Sequence, residues 1–170
     1  MEDKDLERGR RYEQKAMALL SELGYIVVPL CDGLKLVDGR GPMVMLPTGE
    51  TYTSPDLYVQ YAGQGEPRFG LPRCMLVDVK SKTEVAYYRN RNLYVSGIDI
   101  HHCMAYREVA AALDIDVWIL HWIKTSPNEA VVPPGVYMHC IDVDTAPTDG
   151  NDTGGLVFWE IKRMKRIAGK

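Results

Sequence analysis

The first part of the chain places polar and apolar side chains with the period of an α-helix. Small or apolar residues recur every three or four positions through residues 3–23, and Gly24 follows where a helix would end. Residues 99–113 repeat the pattern. The sequence therefore predicts two amphipathic helices, the second of which buries Cys103, Tyr106, Val109, Ala110 and Leu113.

Other segments carry the β-branched, aromatic or consecutive apolar residues that are typical of strands. Residues 74–80 are apolar until the end of the run, which predicts a central strand covered on both faces. Further strands are expected at 25–30, 56–61, 116–122, 136–143 and 156–161, and a hairpin at 34–37 and 43–46 around the turn 38–41. Residues 81–97 and 144–155 are expected to be loops, and residues 162–170 a short basic helix.

This order of elements is typical of an α/β domain with a mixed central sheet flanked by helices. A chain of 170 residues has the length of one domain. We expect a single domain over residues 1–170, with its core at 3–122 and an extension of strands and a basic tail at 125–170.

Composition narrows the classes of protein that the chain can represent. Apolar residues make up 46% and charged residues 25% of the chain, which argues against global disorder. The sequence has neither an apolar run long enough to cross a bilayer nor a signal peptide, so we expect a cytoplasmic protein without a membrane partner. A net charge of −3 argues against a protein that coats nucleic acid through positive charge alone.

The cysteines are scattered and are expected to be buried, reduced thiols: Cys31, Cys74, Cys103 and Cys140. Zinc is disfavoured at residues 101–103 and 139–140, because adjacent side chains point in different directions and the spacings of zinc motifs are missing.

The strongest chemical signal is Asp78-Val79-Lys80 at the end of the predicted central strand. Side chains two residues apart on a strand share a face, so Asp78 and Lys80 point the same way, either as an ion pair or as part of a site. Asp56 opens the preceding strand and can lie beside Asp78, although a residue after proline can also be a simple turn residue. Two adjacent carboxylates repel each other unless a proton or a metal ion intervenes.

Glu13 lies in the middle of the apolar face of the first predicted helix. A charged side chain that faces a core is costly unless it is paired or binds a metal. The alternative is a helix rotated far enough to leave Glu13 in water at the edge of the stripe.

The chain resembles the PD-(D/E)XK nuclease superfamily in the order of three short motifs. They are GRRYEQ at residues 9–14, Pro55-Asp56, and Asp78-Val79-Lys80. The superfamily includes type II restriction enzymes, archaeal Holliday-junction resolvases and many phage and repair exonucleases, and the first helix is most similar to the resolvase-like branch. The resemblance covers residues 3–122 and implies the αβββαβ core of the restriction-endonuclease-like fold.

The resemblance also implies a metal site, in which Glu13, Asp56 and Asp78 bind Mg²⁺ together with the carbonyl of Val79. Mn²⁺ is expected to substitute for Mg²⁺, and no small-molecule cofactor is expected. Lys80 would position the attacking water or help to deprotonate it, and would stabilise charge on the phosphate. Aspartate at position 78, in place of the commoner glutamate, leaves open whether one or two metal ions bind.

Members of the superfamily often add a polar residue from the helix after the D-x-K strand, and His102 or Tyr106 could have this auxiliary role. Ordinary packing in the core is the alternative for both. Nucleic acid is expected to contact a set of basic residues near the proposed site, although each could also be a solvated surface charge: Arg10, Arg11, Lys82, Arg89 and Arg91.

The sequence thus predicts a metal-dependent nuclease that hydrolyses phosphodiester bonds in DNA, either at branched or junction structures or at ends. Cutting both strands symmetrically would favour a homodimer, because each chain offers one site. Two alternatives stay open: a nuclease-fold protein that binds DNA without cutting it, and a scaffold in which Asp78 and Lys80 form an ion pair.

Overall fold

The computed structural model describes residues 2–30, 43–146 and 155–169. Two α-helices lie in these ranges, α1 at Glu2–Glu22 and α2 at Ile100–Leu113. The strands, in chain order, are β1 Tyr25–Pro29, β2 Met43–Met45, β3 Thr51–Thr53, β4 Leu57–Tyr61, β5 Cys74–Glu84, β6 Ala86–Tyr88, β7 Leu93–Asp99, β8 Val117–Thr125, β9 Gly135–Cys140, β10 Leu156–Glu160 and β11 Lys165–Gly169.

A mixed sheet is the centre of the fold, and its strands follow the order β1-β4-β5-β8-β9-β11 within the described residues. β5 and β8 pair in parallel, whereas the other neighbours in this sheet are antiparallel. A second sheet has the order β10-β7-β6, and β2 pairs with β3. The predicted α/β class with a mixed central sheet is therefore confirmed.

The central sheet is covered on both faces. On one face α1 buries Ala16, Leu20 and Leu23 against Met75 and Val77 of β5. On the other face α2 and the second sheet pack together around a separate cluster that includes Leu76, Tyr106, Ile119 and Trp159. Alternate residues of β5 therefore point into different cores, which confirms the prediction of a central strand covered on both sides.

Helix α2 begins one residue later than its apolar pattern predicted. The side chain of Asp99 accepts a hydrogen bond from the backbone N–H of His101, so Asp99 is the N-cap. Cys103 is buried as predicted, but Leu113 is 46% exposed, because α2 ends there and Asp114 turns into the left-handed conformation.

The prediction of a helix for residues 162–170 is wrong. A 3-10 turn at Ile161–Arg163 leads into β11, which pairs antiparallel with β9. Ile167 is buried between more exposed neighbours, as expected for a strand. The spacing of Ile161, Met164 and Ile167 had suggested one face of a helix, whereas the open edge of β9 provides backbone partners for an extended chain.

The loop predicted for residues 81–97 is also wrong. β5 continues to Glu84, and β6 and β7 then form a hairpin around the 3-10 turn Arg89–Arg91. The tyrosines of this segment favour strands, although the surrounding polar side chains had suggested a loop.

Most of the predicted hairpin at residues 34–46 and most of the loop at residues 144–155 lie outside the described residues. Within the described part, Met43–Met45 pairs with Thr51–Thr53 around a turn in which Leu46 N–H donates to the Glu50 carbonyl at 2.8 Å. Gly49 in this turn has a φ of 86°, a conformation that favours glycine. Within the described residues, the strand that pairs with Met43–Met45 is thus Thr51–Thr53, which follows it in the sequence.

Buried polar side chains connect β7, β8 and β9 on the α2 side of the central sheet. Ser96 Oγ lies 3.0 Å from His121 Nδ1, and His121 Nε2 lies 3.1 Å from His139 Nε2. His139 Nδ1 lies 2.9 Å from the carbonyl of Cys140. Burial lowers the pKa of both imidazoles, that of His139 to about 4, and the neighbouring His139 lowers the pKa of His121 further. Both rings are therefore neutral near pH 7.

Cys103 is buried as expected, while Cys74 and Cys140 are only partly buried, and Cys31 lies outside the described residues. No helix among the described residues combines the length and the apolar character needed to cross a bilayer.

Candidate active site

Strand pairing brings Asp56 and Asp78 to the same place in the central sheet. β4 and β5 are antiparallel with Leu57 opposite Val77, and this register continues to place Asp56 opposite Asp78. Asp56 Oδ2 accepts a hydrogen bond from the backbone N–H of Val79 at 2.7 Å. Asp78 is 1% exposed. The structure thus joins two of the predicted site residues across adjacent strands.

Lys80 lies on the same face of β5 as Asp78 and forms an ion pair with it. Its Nζ is 3.1 Å from Asp78 Oδ1 and 2.9 Å from Asp78 Oδ2. Burial lowers the pKa of Lys80, but the charges of Asp78 and Asp56 outweigh burial and raise the pKa above its ordinary value. Lys80 is therefore an ammonium ion at neutral pH.

Tyr106 of α2 completes the contacts of the buried carboxylate. Its hydroxyl donates a hydrogen bond of 2.6 Å to Asp78 Oδ1, and its ring is 1% exposed. His102 stacks on the Tyr106 ring with 5.9 Å between the ring centroids. Of the two proposed auxiliary residues, Tyr106 thus contacts a site carboxylate directly, and His102 supports its ring.

Glu13 lies on α1 and is half-buried. A Cβ atom added at Gly9, one helical turn earlier, would lie 3.9 Å from Glu13 Oε1. Its negative charge contributes to the raised pKa values of both Asp56 and Lys80, so it belongs to the same electrostatic cluster.

Asp56 carries the strongest sign of crowded negative charge. Burial raises its pKa most, the neighbouring Asp78 adds to the effect and Glu13 contributes less, while the Val79 N–H and Lys80 oppose the rise. The resulting pKa is about 8. Asp56 therefore holds a proton at neutral pH in this arrangement, as expected when carboxylates share a confined space without enough compensating charge.

Within the described part of the chain, no three carboxylate, imidazole or thiol groups are close enough together to hold a metal ion as they stand. The Lys80 ammonium provides the nearest positive charge to Asp78. A metal ion bound by all three carboxylates would thus require Glu13, Asp56 and Asp78 to come closer together.

The basic residues predicted to contact nucleic acid fall into separate groups. Arg10 and Arg11 are exposed on α1 and line a cavity of about 700 Å³ together with Tyr12 and Lys124. Arg89 and Arg91 are exposed in and beside the turn between β6 and β7, whereas Lys82 is half-buried on β5. Burial lowers the pKa of Lys82, and the nearby Lys80 lowers it further.

Tyr12 and His121 are site neighbours that the sequence analysis did not identify. The centroid of the Tyr12 ring lies 4.8 Å from Lys124 Nζ and 5.1 Å from Lys15 Nζ. Two ammonium groups therefore contact the residue that precedes Glu13. His121 pairs with Lys80 across the parallel strands β5 and β8. The register of a parallel pair is not visible in a single sequence, whereas the position of Tyr12 next to Glu13 was an available signal.

No protein-family model and no curated protein matches the chain. Among solved structures, the chain is similar to Hjc, a Holliday junction resolvase from the archaeal hyperthermophile Archaeoglobus fulgidus. The two share 11% sequence identity with a TM-score of 0.54, and the alignment covers 94% of this chain and 96% of the resolvase. The comparison confirms the predicted resemblance at the level of the fold: this chain has the restriction-endonuclease-like fold.

Proposed function

We propose that the protein is a divalent-metal-dependent nuclease that hydrolyses phosphodiester bonds in DNA, with branched or junction DNA as its substrate. The observation that carries the proposal is the cluster of Asp56, Asp78 and Lys80 on adjacent strands, with Glu13 of α1 electrostatically coupled to it. The similar solved structure is that of a Holliday junction resolvase, which supports the choice of substrate.

The donor chemistry suits Mg²⁺, with Mn²⁺ as a substitute. Magnesium prefers hard oxygen ligands and often takes one or two carboxylates together with waters and phosphate oxygens. Asp56 and Asp78 would hold the ion together with the Val79 carbonyl, and Glu13 would contribute the third carboxylate. Burial and the neighbouring Asp78 raise the pKa of Asp56, and a bound cation would offset both by favouring the ionised carboxylate. When bound, the metal lowers the pKa of its water and stabilises charge on the phosphate.

The side chains around the carboxylates have separate tasks in this proposal. Tyr106 and the Val79 N–H fix the orientations of Asp78 and Asp56 through hydrogen bonds of 2.6 and 2.7 Å. Lys80 carries a positive charge, so it would orient the attacking water and stabilise the anionic phosphate, instead of accepting a proton.

The test is cleavage of labelled linear duplex, single-stranded DNA and a four-way junction with Mg²⁺ or Mn²⁺. Wild-type protein is expected to cut the junction in a metal-dependent way, and Lys80→Ala to reduce the rate by at least about 100-fold. Asp116→Asn is a control, because Asp116 is exposed and lies before β8. Cleavage that survives in Lys80→Ala would contradict the assignment of the site.

The ion pair between Lys80 and Asp78 also supports a second candidate, a nuclease-fold protein that binds DNA without cutting it. A permanent ion pair would occupy the carboxylate that a metal needs. Under this alternative, wild-type protein binds junctions but cuts none of the substrates, and Mg²⁺ does not raise its melting temperature. Metal-dependent stabilisation that disappears in Asp78→Asn would favour the nuclease.

A further inference from the structure

We propose that a second cavity, separate from the carboxylate cluster, binds one unpaired nucleotide of the DNA substrate. The cavity has a volume of about 570 Å³ and lies between the β6–β7 hairpin and the edge formed by β9 and β11. The proposal rests on the proposed function, because it specifies which DNA the protein selects.

Aromatic rings form one wall of this nucleotide cavity. Tyr87 and Tyr94 are opposite each other in the β6–β7 register, with 4.9 Å between their ring centroids. Tyr87 is 43% exposed, and its hydroxyl donates a hydrogen bond of 2.6 Å to Asn92 Oδ1. Tyr137 lines the cavity too. Such rings give a planar base a stacking surface, which single-strand binding sites combine with positive charge.

Charged and amide groups surround the aromatic wall. Lys162 and Arg166 line the cavity, and Arg166 is fixed by a hydrogen bond of 3.0 Å to the Pro134 carbonyl. Glu160 also lines it, but this carboxylate is 6% exposed and forms ion pairs of 3.2 Å with both Lys162 and Arg163. The lining therefore carries a net positive charge, which complements the phosphate of a nucleotide.

The amide side chains of Asn92 and Asn128 are also part of the lining. Asn92 Oδ1 already accepts a hydrogen bond from the Tyr87 hydroxyl. The NH₂ group of Asn92 can therefore donate a hydrogen bond to a carbonyl or ring nitrogen of a base. Stacking surfaces, amides and cations around a space of this size match a nucleotide better than an apolar ligand.

A series of buried side chains connects the nucleotide cavity with the carboxylate cluster. Tyr94 and Ser96 are two residues apart on β7, Ser96 contacts His121, and His121 pairs with Lys80 across β5 and β8. Strand geometry for these steps places the cavity within roughly 20 Å of Lys80. One strand of DNA could thus have a nucleotide in the cavity and a phosphodiester bond at the cluster.

Only an unpaired base can enter such a cavity, since the bases of a duplex are stacked and turned towards their partners. The cavity therefore favours DNA with an exposed nucleotide, such as a branch point, over a continuous duplex.

The test measures binding without metal, so that its result does not depend on cleavage. Fluorescence anisotropy in EDTA would compare a fluorescein-labelled duplex with the same duplex carrying a three-nucleotide bulge. Wild-type protein is expected to prefer the bulged DNA, and Tyr87→Ala to weaken binding to it by about 5- to 100-fold while changing duplex binding less than about twofold. Tyr87→Phe keeps the ring and is expected to retain the preference.

The matched control is Phe69→Ala, which removes another exposed aromatic ring, 40% exposed, that does not line this cavity. It is expected to leave both affinities unchanged.

Equal losses for bulged DNA and duplex in Tyr87→Ala would overturn the proposal, and so would unchanged binding of the bulged DNA. Conversion of a dimer to a monomer by Tyr87→Ala, seen by sedimentation, would also overturn it, because a second copy of the chain would then occupy the cavity. Wild-type protein that prefers bulged DNA but cuts none of the substrates would contradict the proposed function and leave this proposal standing. Cleavage by wild-type protein without a preference for bulged DNA would do the reverse.

Discussion

Replacing Asp56 by asparagine should stabilise the metal-free protein, and the gain should grow with pH. Asparagine keeps an oxygen that can accept from the Val79 N–H, but it removes the charge beside Asp78. In the unfolded chain Asp56 releases its proton near pH 3.8, whereas in the folded protein it does so near pH 8. Between these values the folded state holds a proton that the unfolded state has lost, so rising pH destabilises the wild-type fold.

The size of this effect follows from the difference between the two pKa values. At about 1.4 kcal/mol for each pKa unit, the full difference would amount to about 6 kcal/mol above pH 8. Asp56 is only partly buried, and solvent screens part of the effect, so we expect a smaller gain of about 2–4 kcal/mol for Asp56→Asn at pH 8. At pH 4 the two proteins should be nearly equal in their free energies of unfolding.

Urea unfolding in EDTA at several pH values from 4 to 9 would measure these free energies, with Asp116→Asn as the control for the chemical change. The difference between wild type and Asp56→Asn should widen as pH rises, while the control stays parallel to wild type. Parallel curves for wild type and Asp56→Asn would refute the argument, since they would mean that Asp56 ionises normally in the folded protein.

Three further substitutions test contacts around the site, in the central sheet and in the second sheet. Tyr106→Phe should lower the free energy of unfolding by about 1.5–3 kcal/mol, because its hydroxyl bonds the charged Asp78, whereas Tyr137→Phe should cost only about 0.5–1.5 kcal/mol, since its hydroxyl bonds a neutral carbonyl. Equal losses in urea unfolding would contradict this ranking. Gly97→Ala should destabilise the fold by at least about 2 kcal/mol, because a Cβ there would collide with the Val157 carbonyl of β10. A melting temperature equal to that of wild type would contradict this, since it would mean that the two strands can move apart without cost.

The sequence predicted those parts of the fold in which a local pattern coincides with burial. The apolar run of β5 faces two cores, so its consecutive apolar residues identified it correctly. β11 was missed because it pairs with β9, a strand about 30 residues away. The pattern of residues in a short basic segment does not show that such a partner exists.

The site shows the same division between local and distant information. Asp78 and Lys80 share a face because they are two residues apart, which the sequence alone implies. The contact from Tyr106 depends on how α2 packs against β5, so the sequence could name the residue only as one of two auxiliaries. The pairing of His121 with Lys80 depends on the parallel register of β5 and β8, which a single sequence does not reveal.

The hydrogen bonds between the buried histidines and their neighbours can form in only one donor-to-acceptor order. A carbonyl can only accept, so His139 Nδ1 must carry a proton towards Cys140, and the Nε2 of this neutral ring is left to accept. His121 must then donate from Nε2 and accept at Nδ1, where the Ser96 hydroxyl donates. One backbone carbonyl thus determines both tautomers and the orientation of a hydroxyl on β7 in the second sheet. Substitutions here are constrained by the order of donors and acceptors as strictly as by volume: leucine at position 121 would fill the space but leave two buried polar groups without their partner.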